Sequence, residues 1–541
     1  MNKYIGHLVI FMSLISCRSS DMDQELGSNK GRSAVNINLQ GADFSNATPS
    51  VSASLHNNLN YYTSRRIQQH NILINPSTII TAELSPSTDN SKILPNASSS
   101  KSPLAAVEGS KLTSGVKFRV IAYRKGGAQD GSYHTHQDYT VGEKGDPMML
   151  DNGANYNIIC YSFGTQNLPD ITTDEKSIIT NAKVSYNDNS RDFMYQNIEF
   201  TPTSNTNTLN ITLRHKVAMI TTTLSAYGNI TVHDNGIASF IEPHYNGGDF
   251  NLSDGKMENR RLLNATDKNS TPIVFTGEEG GSTTRTANPV FVNADTGGNA
   301  TGGISAAITI AGITKTISLP NSFKITPENK SNLTINLMKC GAYIGPNTDP
   351  ANYKEFMCHN LGADTSADPF TPAAATHGAK YQWGAQTGEA GRYYSQSDDQ
   401  SNSGAITGWN STDKPNGSWS DTSKTVNDPC PSGYRVPTSA QWSAIVANNN
   451  VERVGSWTNS NTNYSSALYF RSPSNTRTLM LPAAGSRSLS DGKRLDRGNA
   501  GLYWSSSEAA SKAFDLTFSS SSVYNNDIYR TFGFSVRCVA E

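Results

Sequence analysis

The chain has 541 residues, enough for about three domains of ordinary size. Charged residues are only 16%, the formal net charge is -1, and no block of Lys and Arg occurs, which argues against nucleic acid as a partner because phosphate recognition needs clustered cations. Asn, Ser, Thr and Gly fill the positions that charges would otherwise occupy, as in exposed β-proteins rich in turns.

The N-terminus carries Lys3, then the apolar run Leu8-Val9-Ile10-Phe11-Met12, closed by Leu14-Ile15-Ser16-Cys17. The run is too short for a permanent membrane span, and residues 1–16 read as a secretion signal. Its ending resembles a bacterial lipobox, which would make Cys17 the acylated first residue of the mature chain and outer-membrane lipid its partner. Each buried methylene of that anchor would add about 0.8 kcal/mol. An ordinary secretory signal with an incidental cysteine is the alternative. Residues 17–33 form a polar, partly acidic tether, similar to the export signal of some Bacteroidetes surface lipoproteins and equally to a solvated linker. No later apolar run reaches the length of a membrane span, so a surface-exposed place on the outer membrane, or in a fimbrium, is expected.

Residues 33–337 show short alternating apolar runs. Val35, Ile37 and Leu39 alternate with Asn36 and Asn38. Val116, Phe118 and Val120 alternate with Lys117 and Arg119, and Leu209, Ile211 and Leu213 with Asn210, Thr212 and Arg214. A hairpin is expected over residues 308–317, with its turn near Ala311-Gly312, and Leu333, Ile335 and Leu337 mark a last strand. Strands separated by Asn/Gly/Ser turns predict two β-sandwiches, at residues 34–200 and 201–338, divided at the polar run 201–208. Gly115-Val116-Lys117-Phe118-Arg119-Val120-Ile121-Ala122-Tyr123, Tyr139-Thr140-Val141-Gly142 and the stretch Leu150 to Phe163 resemble the first domain of the fimbrillins, the lipoprotein-derived pilins of Bacteroidetes, with residues 209–224 opening a second. The resemblance implies a lipid-anchored precursor whose first strand is cut away, often by an Arg-specific protease, so that a neighbouring subunit's strand fills the groove. Residues 35–39 are then the candidate first strand and Arg65-Arg66 the candidate cut site; a surface-loop arginine pair is the other reading.

Residues 339–541 are different in kind. All six tryptophans (Trp383, Trp409, Trp419, Trp442, Trp457, Trp504) lie there, as do Cys340, Cys358, Cys430 and Cys538. Pro429, Pro431 and Gly433 hold a turn around Cys430, Thr438 can cap a helix carrying Trp442 and Ile445, and Phe534, Val536 and Cys538 alternate as one face of a terminal strand. Cys430–Cys538 and Cys340–Cys358 are the expected bridges, contributing somewhat more than about 4 and about 3 kcal/mol. Their spacing matches no zinc pattern, and Cys160 is left as a buried apolar residue. The motifs Asp428-Pro429-Cys430-Pro431-Ser432-Gly433-Tyr434-Arg435, Gly501-Leu502-Tyr503-Trp504-Ser505 and Gly533-Phe534-Ser535-Val536-Arg537-Cys538 resemble the Fibrobacter succinogenes major paralogous domain, a relative of the C-type lectin-like fold. So do Phe356-Met357-Cys358-His359-Asn360-Leu361-Gly362, Tyr381-Gln382-Trp383-Gly384 and residues 479–487. The resemblance implies an α+β C-type lectin-like domain after the two sandwiches, in a mainly β chain.

Trp409 and Trp419, in a Gly/Asn/Ser-rich insertion, and Tyr503 are the candidate ligand-binding aromatics; Trp383, Trp442 and Trp504 read as core. No calcium-dependent sugar motif occurs, since Glu328-Asn329 lies outside the domain and no Trp-Asn-Asp follows. His134-Thr135-His136 lacks a third metal ligand, Asp295 to Asn299 reads as a turn, and Asp398-Asp399 as a solvated loop. Nucleophile elbow, zinc-helix and phosphate-loop motifs are absent, so neither an enzyme, a metal nor a cofactor is expected. The lectin-like fold also hosts formylglycine-generating oxidases, but those need a reactive cysteine pair. The reading is a surface adhesin, a fimbrial tip or accessory subunit binding a host or bacterial protein or glycan and exchanging strands with other fimbrial subunits. The alternative is a surface glycan-binding lipoprotein for nutrient capture.

Overall fold

The computed structural model describes residues 31–45, 67–87, 110–187, 192–203, 206–226, 230–232, 239–275, 284–310 and 313–541. Cys17, Arg65, Arg66, the signal segment, most of the tether and the turn Ala311-Gly312 lie outside them. The chain is mainly β. Among its strands are β1 (Arg32–Asp43), β2 (Gln68–Asn75), β3 (Thr78–Pro86), β4 (Lys117–Arg124), β5 (Tyr133–Thr140) and β6 (Met148–Asp151). They are followed by β7 (Tyr156–Ser162), β8 (Lys183–Asn187), β9 (Met194–Phe200), β10 (Asn207–His215) and β11 (Ala218–Ala226).

The first sheet has seven strands in the order β5-β4-β7-β9-β10-β1-β6. Its inner face buries Val35, Phe118, Val120, Leu150, Ile158, Cys160, Leu209, Ile211 and Leu213, all from this one sheet, so the sheet curls around its own core. Its outer face is also covered. Ile121, Tyr123, Ile159 and Tyr161 pack under Val184 and Tyr186 of β8 and Phe250 of the partner strand Gly247–Asn251. With both faces buried, β4 departs from simple alternation, and Arg119 is enclosed rather than solvated. Its guanidinium donates to both carboxylate oxygens of Asp138 (2.7 and 2.8 Å), to the Tyr161 hydroxyl (3.0 Å) and to the Pro169 carbonyl (2.8 Å), with Glu175 3.4 Å away.

The second sheet runs Thr284–Thr286, β11, Lys330–Lys339, β3, β2. It faces a third sheet containing Gly302–Ile310 and Ile313–Phe323, which pair antiparallel across the expected hairpin with Ile310 opposite Ile313. Ile80, Leu84, Ile220, Leu333 and Ile335 meet Ile304, Ile308, Ile317 and Leu319 between them, a sandwich core. The polar run at 201–208 does not part the two sandwiches. β10 follows it and still belongs to the first sheet, paired parallel with β1, and the second sheet takes β2 and β3 from the early chain. Composition marks where a loop is polar, whereas the crossing of the chain between sheets is set by long-range pairing.

The C-terminal module follows the strand Lys330–Lys339 with no linker, since Cys340 leads directly into Gly341–Tyr343. The turn between β2 and β3 is wedged into this junction. Backbone amides of Cys340 and Cys358 donate to the carbonyls of Ser77 and Pro76 (both 2.7 Å), and the Ser77 hydroxyl donates to Glu355 (2.7 Å) and accepts from Tyr434 (2.9 Å). Both expected disulfides are present, Cys340–Cys358 beneath this turn and Cys430–Cys538, while Cys160 is free and buried. Thr438 caps the helix Ser439–Asn448 and forms a reciprocal pair with Gln441, with Trp442 and Ile445 buried. Phe534, Val536 and Cys538 do share one apolar cluster, but the segment is held by isolated bridges rather than as a regular strand until Val539–Ala540, and Ser535 and Arg537 on its other side are buried too.

All tryptophans lie in the module, so tryptophan fluorescence reports its unfolding alone and far-UV circular dichroism the whole chain. Arg119→Ala removes the cation between Asp138 and Glu175 and should cost the first sheet about 3 kcal/mol in urea. The fluorescence transition should stay in place; a shift of both transitions together would contradict independent cores.

Candidate functional site

Two regions carry functional potential, the first strand and the C-terminal module. β1 begins with Arg32–Val35 antiparallel to β6 and from Val35 to Asp43 runs parallel to β10, Val35 opposite Asn207 and Asp43 opposite Arg214. Alternation drives Val35 into the inner core with Ile37 and Leu39 against it, and a register shift between Leu39 and Gly41 returns Ala42 to the interior. Just beyond, Phe44 stacks on His215 with ring centroids 3.9 Å apart. β1 is therefore an interior strand contributed by the extreme N-terminal part of the described chain, and the candidate cut pair Arg65-Arg66 falls in the stretch between it and β2.

The three aromatics expected to contact a ligand do not converge. Trp419 is 0% exposed, leans on Trp383 and donates its indole N–H to the Asn427 carbonyl (2.9 Å). Tyr503 is 0% exposed, its hydroxyl donating to Pro482 O (2.8 Å) and accepting from Asn360 (3.0 Å). Trp419 is core because the insertion folds back onto the module instead of standing away from it, and Tyr503 because its strand, Gly501–Ala509, turns it into the cluster with Trp442, Leu481 and Phe518. Trp409 is half-buried, its N–H donating to Leu489 O at 3.3 Å. A Cβ on Gly492 or Gly533 would meet its ring at 2.6 or 2.8 Å, so these glycines are what let the indole lie flat. The large apolar side chains exposed on the module are Val426, Tyr524 and Tyr529. Both tyrosines sit on Val523–Tyr529, an edge strand that also carries exposed Asn526 and Asp527. Sequence reasoning passed over them because neither falls in a recognisable motif.

Asp399 overturns the solvated-loop expectation. It lies in the short helix Gln396–Ser401 and is fully buried. Arg487 donates to its Oδ1 (2.7 Å) and Arg497 to its Oδ2, while Arg487, Arg494 and Arg497 all donate to its backbone carbonyl. Burial opposes ionisation, but Lys380, Arg487 and Arg497 outweigh it and hold the carboxyl below its ordinary range. The neighbouring Lys380 is buried as well, and that burial brings its ammonium down to about 8. Arg537, from the last motif, spans to the first. It donates to Asn360 Oδ1 (3.0 and 2.8 Å) and to the carbonyls of Met357 and Cys358 (3.0 and 2.9 Å).

Elsewhere His134 contacts Arg124 (3.3 Å) and His136 the Tyr133 hydroxyl (2.7 Å), so the two rings serve separate partners. Asp295 accepts from the Gly297 amide (2.9 Å) in the expected turn.

Residues 105–349 match the fimbrillin-like family, and residues 333–540 match the Fibrobacter succinogenes major domain. The chain joins a fimbrillin-like region to a Fibrobacter succinogenes major domain. The two matches overlap at the strand Lys330–Lys339 and the Cys340 junction, where the sheets of one run into the other. The fimbrillin-like match supports a fimbrial-type surface protein. Among solved structures it is similar to a candidate cell adhesion protein from Bacteroides fragilis, at 12% identity over 57% of this chain and 93% of that one, with a TM-score of 0.31. A fimbrial assembly protein from Parabacteroides distasonis shares 11% identity over 40% and 82%, with a TM-score of 0.26. A fimbrial anchor protein from Porphyromonas gingivalis shares 12% over 42% and 84%, with a TM-score of 0.24. Curated proteins yield no match.

Asp515, between Trp504 and Asn526 in the module's sheet, is 1% exposed. Its Oδ1 has no partner among the described residues. Burial pushes its carboxyl up to about 7, against the pull of the Thr517 hydroxyl. Between about pH 4 and 7 the folded module keeps a proton that the unfolded chain has released, so stability falls as pH rises through that window and levels off above it. Asp515→Asn should flatten this slope in the fluorescence-detected transition, and an unchanged slope would assign it to another group. Trp419→Ala should cost about 3–5 kcal/mol in the same transition, as for a filled core site, with Trp409→Ala costing less.

Proposed function

We propose that this protein is a fimbrial tip or accessory subunit, anchored through acylated Cys17 until a cut after Arg65 or Arg66 frees β1, with the C-terminal module as its adhesive head. One asymmetry carries this reading: the chain is built to accept a strand and not to give one from its last segment. Loss of β1 would leave β10 without its neighbour from Asn207 to Arg214 and open the inner core where Val35, Ile37 and Leu39 sit. An extended apolar strand from another subunit meets both needs, pairing with the backbone and filling the groove. The cut would spare β2, whose sheet edge and clamped turn follow the arginines directly. At the other end residues 533–539 are buried, bridged through Cys538 and stapled by Arg537, which suits a cap and unfits them to be a donor strand.

The close tie between the second sandwich and the module would hold the head at a set angle and pass tension through a disulfide-backed turn. With Trp419 and Tyr503 in the core, the edge strand bearing Tyr524 and Tyr529 is the surface best suited to meet a protein or glycan ligand.

The test is the N-terminal sequence of the protein recovered from fimbriae. It should begin at Arg66 or Ile67, and Arg65→Ala/Arg66→Ala should keep the protein at its lipid-bearing Cys17 and out of fimbriae. A lipidated Cys17 terminus on fimbria-associated protein would refute release of β1. Removal of residues 341–541 should abolish attachment of cells, and attachment that survives it would refute the head.

A further inference from the structure

We propose that the C-terminal module binds one monatomic monovalent anion, of the halide class, among His377, Lys380 and Arg497. The starting point is an imbalance of charge. Lys380, Arg487, Arg494 and Arg497 are each at most 8% exposed, and among the described residues the anionic side chain that faces them is the single carboxylate of Asp399. Carbonyl groups of Asp399, Asn402, Asn461 and Gly492 take several of the guanidinium hydrogens but carry no net charge. Buried cations without a matching anion are costly, because the interior screens their mutual repulsion poorly.

A second observation points to the same place. Donors are left over there, and they belong to neighbouring residues. Among the described residues Arg497 Nε has no partner, and neither nitrogen of His377 has one, although both side chains are enclosed. The Lys380 ammonium has three hydrogens and among the described residues donates to the Ser535 hydroxyl alone, at 3.1 Å. Tyr464 ties two of these residues together: the His377 ring meets it edge-on at 5.0 Å, and the Arg497 guanidinium lies 5.1 Å from its centroid while donating to its hydroxyl at 3.0 Å. His377 and Lys380 are three positions apart on one tight segment, anchored where Asn360 donates to His377 O at 2.8 Å. Burial and the facing cations Lys380 and Arg497 keep the imidazole neutral, so it offers one N–H.

The unspent groups are thus all donors apart from one imidazole nitrogen. A water molecule would bring two hydrogens that find almost no acceptor and would leave the charge untouched. A halide accepts from several donors at once, brings no hydrogen and offsets one positive charge. Larger oxyanions need more room than a packed interior of this kind leaves.

Thermal unfolding of the full chain, followed by tryptophan fluorescence, tests this in sodium chloride against sodium gluconate at equal ionic strength. Chloride should raise the midpoint by several degrees, increasing with the logarithm of its concentration, as for a ligand that binds only the folded state. Lys380→Met should remove the difference between the two salts. Equal midpoints in both salts, or a difference that Lys380→Met leaves intact, would overturn the proposal. Should that variant fail to fold, crystals of the unmodified chain grown in sodium bromide decide the matter. An anomalous peak in contact with Lys380 Nζ supports the site, and ordinary water density with no anomalous signal rejects it.

Discussion

The first sheet depends on one long-range pairing. β1 lies parallel to β10, which is about as far along the chain as a whole small domain, and without it neither β10 nor β6 has a neighbour on that side. Parallel neighbours need a long crossover, and here the crossover includes β2 and β3, which are lodged in a different sheet. The sheet is therefore closed by a strand that is covalently remote from the strands it supports. Removing such a strand would expose a line of backbone donors and acceptors on β10 beside an apolar groove and take from β6 its neighbour in the sheet, while β5, β4, β7, β9 and β10 keep their own pairings.

The C-terminal module has the opposite character. Its last residues are threaded through the interior, cross-linked at Cys538 and held by Arg537 to the segment around Asn360. Its indoles donate to backbone carbonyls inside the core, Trp383 to Ser505, Trp442 to Trp504 and Trp504 to Tyr381, which locks the motif segments to one another. Buried guanidinium groups do similar work around Asp399. Each such polar contact stabilises only when every partner is in place, so the module is rigid and specific rather than adaptable. On the proposed function, a rigid head on a sheet that receives a strand would suit the end of a fibre.

Much of the fold was legible in local pattern. Alternation at Val35, Ile37 and Leu39, at Leu209, Ile211 and Leu213, and around the Ile308 hairpin marked strands, because side chains on a strand point to opposite faces in turn. Thr438 marked a helix start, and the cysteines of the module foretold both bridges. Which aromatics reach solvent was not legible. Trp409 and Trp419 share a polar, glycine-rich insertion, yet one is core and the other half-buried, because exposure depends on what the insertion folds against. Asp399 was misread for the same reason. Its arginine partners lie some ninety positions away, and nothing in Asp398-Asp399 distinguishes the buried carboxylate from the exposed one.

The amino-acid sequence alone determined the kind of protein this is: a β-rich, weakly charged chain whose second part is cross-linked and rich in tryptophan. Those properties reside in composition, short-range period and cysteine placement, which need no partner to be read. Only the tertiary structure decided which strand belongs to which sheet, where Arg119 and Asp399 find their opposite charges, and which aromatic rings reach solvent. Each of these is a pairing between residues distant along the chain, and the free energy of such a pairing exists only once the fold has brought the two sides together.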